Sequence, residues 1–292
     1  PAPRLALARA DLQEGALDSA RRRLEELLAA SPRLEEARAL LADVEARAGN
    51  FEAARDLYRS LLGGPLEAHA HLGIRDSHLD EGHGEKALAF ARTLTEGLAP
   101  ADPRRWALEG AVLQELGRFD EARALLDRLL ADGRPRDRRL WRGYLALLEL
   151  DRGDLARAAE AFAARAAEGP GGAEDPELAL WGGVAAAERG DEEAARAAWS
   201  RGAAAPDLGA TALYVRACRR LLGQGGREEL LAALRLADRR TRGDALFVEG
   251  LALERAGRAE EALAAYREAI AAERPGGFPA RLAARAIARL GG

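Results

Sequence analysis

Apolar residues recur at helical spacing along the chain, with charged residues between them. The clearest stretches, Asp18 to Leu28, Glu52 to Leu62, Asp120 to Leu130 and Glu261 to Ala271, predict amphipathic helices. Glycines punctuate the pattern at Gly15, Gly49, Gly82, Gly117, Gly153, Gly190, Gly225 and Gly257, 32 to 37 residues apart. Five residues after each stands an alanine, Ala20, Ala54, Ala87, Ala122, Ala158, Ala195 or Ala262, with Leu230 as the exception. The glycine fits the place where one helix ends, because the residue past a helix end often takes the left-handed conformation that only glycine adopts cheaply. The alanine fits the place where the next, antiparallel helix touches the first.

That reading has a second test on the facing helix. Seven residues before each glycine stand Ala8, Ala42, Arg75, Gly110, Ala146, Gly183, Cys218 and Gly250, all small except Arg75. Four residues after each alanine position stand Leu24, Tyr58, Ala91, Leu126, Phe162, Trp199, Leu234 and Tyr266, mostly large and apolar. Prolines at Pro32, Pro65, Pro100, Pro135, Pro170, Pro206 and Pro275 close most repeats, where a helix must stop. The repeating element is therefore helix, tight turn, helix, proline loop. The third repeat departs from it at Arg75 and Gly84. The seventh, around Gly223 to Leu231, departs through Leu230 and the lack of a closing proline. The tail, Phe278 to Leu290, predicts one more amphipathic helix, with Leu282, Ile287 and Leu290 on one side and arginines on the other.

With about 34 residues per period, this layout resembles the tetratricopeptide repeat family, whose pattern is W-x2-L-G-x2-Y, then A-x3-F, then P. The clearest copy runs from Trp106-Ala107-Leu108-Glu109-Gly110 to Gly117-Arg118-Phe119-Asp120-Glu121-Ala122. The resemblance covers essentially the whole chain. It implies an all-α fold, a right-handed superhelical α-solenoid of antiparallel helix hairpins spanning residues 1–276, with repeats starting near 1, 35, 68, 103, 139, 176, 211 and 243. Residues 277–292 would form a C-terminal capping helix over the last exposed apolar face.

The resemblance also implies a function, a non-catalytic scaffold that binds a protein or peptide segment on a concave groove lined by the first helix of every hairpin. At the groove positions of the first four repeats stand Arg9, Gln13, Glu36, Asp43, Arg47, His69, Asp76, Asp80, Arg104, Gln114 and Glu115, a polar stretch. In the last four stand Leu140, Leu147, Leu150, Leu180, Val184, Val215, Leu222, Phe247 and Leu251. An exposed apolar patch of that kind marks a binding surface or a covered one. We expect it to hold an apolar helix or extended segment; the alternative is that a tightly wound array packs these side chains against each other. The family's carboxylate clamp for a C-terminal Asp is not supported, because the relevant positions of the first repeat carry Leu5 and Arg9. A second functional reading is a regulatory or substrate-recruiting array from a larger enzyme.

Composition supports the helical reading, since Ala, Leu, Glu and Arg dominate and aromatics are 5%. The 44 basic and 48 acidic residues alternate without long blocks, which argues against a nucleic-acid partner, because phosphate binders present a basic face. No apolar run reaches the roughly 18 to 20 residues of a membrane span, and Pro1 to Ala10 lacks a signal-peptide layout. The expectation is a soluble chain of the bacterial cytoplasm or periplasm, bacterial because Lys86 is the only lysine among many arginines. A start at Pro1 and the lack of methionine suggest a piece of something longer.

Candidate chemistry is sparse, and no cofactor is expected. His69, His71, His78 and His83 fall together among Asp76, Asp80 and Glu81, and His71 and His78 lie on one helix face where imidazoles could bind Zn or Ni. In the repeat register, however, both take packing positions. Cys218 fills a small-residue slot and reads as a buried thiol, and Ser19, Ser31, Ser60, Ser77 and Ser200 sit in no nucleophile elbow. Gly169-Pro170-Gly171-Gly172 and Gly223-Gln224-Gly225-Gly226 follow helices and lack the lysine of a phosphate loop. Both read as inter-helix loops, the first as the longest connection and a hinge.

Overall fold

A computed structural model describes residues 2–134, 137–167, 175–233, 239–272 and 277–291, and among them every regular element is helical. Pro135, Pro170, Leu234, Pro275 and the Gly169–Gly172 loop lie outside the described residues. The chain divides into two compact bodies, Pro1–Gly97 and Leu98–Gly292.

The N-terminal body holds three hairpins: α1 (Ala2–Glu14) with α2 (Leu17–Ala30), α3 (Glu35–Arg47) with α4 (Phe51–Arg59), and α5 (Glu67–Asp80) with α6 (Gly84–Thr95). Its first helices touch in sequence, α1 on α3 and α3 on α5, and α2 lies against α3 as α4 does against α5.

The C-terminal body opens with a composite helix. α7 (Pro103–Arg105) runs through a π-helical turn, Trp106–Gly110, into α8 (Ala111–Glu115), which pairs with α9 (Phe119–Asp132). The π turn falls on the best match to the repeat consensus. There Trp106 lies flat over Gly110, so a Cβ on that glycine would stand 2.2 Å from the ring. Next come α10 (Arg138–Arg152) with α11 (Leu155–Ala167), and α12 (Pro176–Glu188) with α13 (Glu192–Ala203). A short turn, Gly209–Thr211, leads into α14 (Ala212–Leu221), which pairs with α15 (Arg227–Ala232). Finally α16 (Arg239–Arg255) pairs with α17 (Ala259–Ala272), and α18 (Phe278–Leu290) ends the chain.

Local chemistry accounts for these boundaries. Asp102, Asp175 and Asp191 cap their helices by accepting from the backbone N–H of Arg104, Glu177 and Ala194, and Pro103 and Pro176 occupy first-turn positions that need no donor. Seven of the eight phased glycines hold positive φ, as at Gly153 (φ 89°). The exception corrects the sequence reading: in the seventh repeat Gly223 (φ 75°), and not Gly225, takes the left-handed conformation. The turn there is longer, running from the end of α14 at Leu221 to the start of α15 at Arg227, which breaks the five-residue phase.

Small and large residues interlock as the period requires. Trp199 of α13 lies on Gly183 of α12, where a Cβ would stand 2.2 Å from the indole Nε1, and Tyr266 of α17 lies on Gly250 in the same way at 2.6 Å. The indole N–H of Trp199 donates to the Leu180 carbonyl at 3.2 Å, so the buried ring leaves no polar atom unsatisfied. In the third repeat the sizes are exchanged, with Arg75 buried in the small position and Ala91 buried in the large one. The Arg75 guanidinium reaches Asp76 Oδ1, 2.7 Å from Nη2, which lets a charged group sit there.

Candidate partner-binding faces

In the C-terminal body the first helices form a continuous layer, with α12 touching α10 and α14 touching α12 and α16. The apolar positions singled out from sequence lie in this layer, but they are not an open patch. Leu150, Leu180, Val184 and Val215 are fully buried, Phe247 is 1% exposed and Leu251 6%. Leu147 and Leu222 are half-buried against the same core, and Leu140 alone is well exposed, at 47%. The expectation of an exposed apolar groove is corrected accordingly. The layer closes on itself, because α18 packs on α16 and α17 and also reaches α10. It brings Leu282, Ala283 and Ala286 fully into the core. Phe278 at its start meets the ring of Trp181 edge-on at 4.8 Å, and Trp181 in turn stacks near Phe247.

The arginines of α18, on the side opposite its leucines, are spent on this contact. Arg281 donates from Nε to Asp151 Oδ1 at 2.6 Å, pairs again with Oδ2, and reaches the carbonyls of Gln114 (3.1 Å) and Glu115 (3.3 Å) at the end of α8. Its guanidinium also lies over the ring of Phe119. Arg285 donates to the carbonyls of Leu150 and Asp151, both at 2.7 Å, at the end of α10. Arg289 grips both carboxylate oxygens of Glu254 at 2.9 and 3.0 Å, at the end of α16, and lies 3.8 Å from Glu188, the last residue of α12. Helix carboxyl ends carry partial negative charge and unpaired carbonyls, so cations belong there. Burial pushes the carboxyls of Asp151 and Glu188 above the usual range, and the arginines of α18 oppose that shift.

The N-terminal body presents a polar face on α1, α3 and α5. Arg9, Arg47 and His69 are exposed, and Asp43 and Asp76 are partly so. Asp43 Oδ1 accepts from the Tyr58 hydroxyl at 2.6 Å and lies 3.0 Å from His69 Nε2. That contact raises the His69 pKa. Arg47 donates to the Leu12 carbonyl at 2.9 Å, tying α3 to the end of α1. Arg104, the last of the polar positions, belongs to the C-terminal body and is bound to its own helix cap, Asp102, at 2.7 Å.

Comparison with known proteins agrees with this architecture. Residues 11–71, 108–173 and 220–278 match tetratricopeptide repeat models, together more than half of the chain. The chain belongs to the tetratricopeptide repeat family. A tetratricopeptide repeat protein of known structure from Parabacteroides merdae superposes with a TM-score of 0.53 at 16% identity, covering 99% of this chain and 98% of that one. The yeast Tom70 structure superposes with a TM-score of 0.51 at 14% identity, and the match covers 95% of this chain and 58% of that one. No curated protein matches the sequence. Tetratricopeptide repeats generally mediate protein–protein interaction, and the chain is an α-solenoid of that class. Among the described residues no helix is long and apolar enough to cross a membrane.

The candidate chemical groups of this tetratricopeptide chain serve packing. The Cys218 thiol is buried, and burial pushes its pKa up to about 12, far from a reactive thiolate. His71 packs edge-on against Phe90 at 6.2 Å. His78 groups instead with Glu81 and His83, the set among the described residues whose atoms could meet one ion. Glu81, however, is held at 2.7 Å by the Arg55 guanidinium, a cation already in the place where a metal would need the carboxylate. Ser19, Ser60 and Ser77 donate to Asp11, the Leu57 carbonyl and the Ile74 carbonyl respectively.

Proposed function

We propose that this protein is a non-catalytic interaction scaffold whose standing recognition surface is the polar first-helix face of the N-terminal body. One observation carries the reading: the apolar first-helix positions of the C-terminal body, Leu140 apart, pack into its core, whereas Arg9, Arg47 and His69 stay exposed. Charges of both signs, Arg9 and Arg47 against Asp43 and Asp76, suit a polar protein segment with acidic groups opposite the arginines and a basic group opposite the aspartates. Such contacts set specificity and encounter rate more than raw affinity.

The test is affinity capture from a bacterial lysate with the wild type and an Arg9→Glu, His69→Glu variant side by side, with circular dichroism to show that the fold is kept. Neither residue is in the core, so helix content is expected to be unchanged. A partner retained by the wild type and lost by the variant supports the polar face; equal recovery overturns it. A Leu140→Asp variant is the control for the exposed leucine of the C-terminal body. Phe247 is unsuitable as a probe because it is 1% exposed, so a charge there would break the core.

A further inference from the structure

Glu149 of α10 is 1% exposed, yet only one of its two carboxylate oxygens has a hydrogen-bond partner. Arg123 of α9 donates to Oε1, whereas Oε2 accepts from no group of the protein. The residue lines a cavity of about 300 Å³ between α9, α10 and α11, where Leu145, Ala161 and Ala164 give apolar walls and the exposed Arg157 and Glu160 complete the lining. A buried acceptor without a donor is costly, most of all when it carries charge.

The second repeat contains the same arrangement in completed form. Glu45 stands four residues before Gly49, as Glu149 does before Gly153, and both glycines hold positive φ. In each turn the residue after the glycine donates its backbone N–H to the glutamate carbonyl at 2.9 Å. Arg21 and Arg123 each follow the phased alanine of the preceding hairpin. Arg21 grips both oxygens of Glu45, and Asn50 donates from Nδ2 to Oε2 at 2.7 Å. In the fifth repeat Asp154 takes the place of Asn50. A carboxylate has no N–H to give, and Asp154 instead accepts from the Arg157 backbone N–H at 3.1 Å, at the start of α11. The fifth repeat thus keeps the buried acceptor and replaces its donor by a second negative charge.

We propose that this cavity binds a primary alkylammonium group, which donates to Glu149 Oε2 while its methylene stem lies against Leu145, Ala161 and Ala164. Charge complementarity selects the ligand. Arg123 lies 3.6 Å from Asp127 and Arg157 3.4 Å from Asp154, so with Glu149 and Glu160 two arginines face four carboxylates. A neutral donor would satisfy Oε2 and leave that excess of negative charge, whereas an ammonium answers both and an anion is excluded. The group has two sources, a free aliphatic amine or a lysine side chain of a protein partner. The site is independent of the polar face of the N-terminal body, and either can fail without the other.

The probe is n-butylammonium chloride, titrated against the whole chain at neutral pH and constant ionic strength and followed by the NMR methyl resonances of Ala161 and Ala164. Both are expected to shift and saturate in the wild type. Tetramethylammonium, a cation without an N–H, and n-butanol, a neutral donor, are expected to leave them in place. Asp154→Asn keeps a good helix cap and is expected to retain its helical circular dichroism. It is expected to bind butylammonium at least about tenfold more weakly, because its amide takes Oε2 as Asn50 does in the second repeat. Glu149→Gln, which leaves Arg123 with Asp127, is expected to abolish the shifts. A wild type without saturable shifts overturns the proposal. So do equal shifts with tetramethylammonium or n-butanol, and so does undiminished binding by a folded Asp154→Asn variant. The peptide acetyl-Gly-Lys-Gly-amide separates the two sources: the same methyl shifts assign the site to a partner's lysine, and butylammonium binding without the peptide assigns it to a free amine, both of which uphold the ammonium site.

Discussion

The Arg281 guanidinium holds the buried carboxylate of Asp151 across 130 residues of chain, with its Nε 2.6 Å from Oδ1. Gln114 completes the site by donating to Oδ2 at 2.9 Å. The pair joins the last helix to the hairpin of α10, and through the Gln114 and Glu115 carbonyls to α8.

Removing one partner of a buried pair costs more than the pair contributes, because the remaining charge stays desolvated. Arg281→Ala is therefore expected to lower stability in urea unfolding by about 3 kcal/mol. Asp151→Asn in the same background is expected to recover part of the loss, since a neutral amide can use the Gln114 side chain without needing a cation. A double mutant no more stable than Arg281→Ala alone would show that the carboxylate is not what the arginine serves.

The close approach of Trp199 to Gly183 leaves no room for a methyl group, with a Cβ placed 2.2 Å from Nε1. Gly183→Ala improves helix propensity and still is expected to destabilise by about 1–3 kcal/mol, because the indole is fully buried and would have to leave its rotamer and its bond to Leu180. Thermal unfolding followed by circular dichroism checks the direction.

His69 and His78 are expected to titrate on opposite sides of the ordinary imidazole value in an NMR titration. The Asp43 hydrogen bond raises His69, whereas burial, helped by Arg55, lowers His78. The sign for stability follows. A folded-state pKa raised above the unfolded one gives His69 a stabilising contribution that is complete below the ordinary imidazole value and fades as pH rises through the folded value. His69→Gln is thus expected to lower the melting temperature more at about pH 5.5 than at about pH 8.5. Glu45, lowered chiefly by its hydrogen bond to Arg21, works the other way and loses its contribution only as pH falls through its depressed value, below this window. An equal effect of His69→Gln at both pH values would remove the Asp43 contact from the account.

Much of the architecture was legible in the sequence because local physics decides it. A helix end that needs positive φ calls for glycine, and two helices that touch at a small residue repeat that need with each hairpin, so Gly49, Ala54 and Gly183 announce their places within one period. The same logic failed at Gly225, because a longer turn moves the left-handed position to Gly223 without changing the residue type. In the third repeat the period shows Arg75 only as a departure, and the burial of Arg75 together with Ala91 is what reveals an exchange of sizes.

What the sequence by itself determined is the class of fold, the order of hairpins, the small-to-large packing and the amphipathic character of the last helix. Only the tertiary structure decided that Leu180, Val184 and Phe247 are core, and that Arg281, Arg285 and Arg289 end on α8, α10, α12 and α16. Periodicity records which face of a helix is apolar, a property of neighbours one turn apart. Whether that face meets water or another helix depends on how the small rotations between successive hairpins accumulate, and no single period contains that sum.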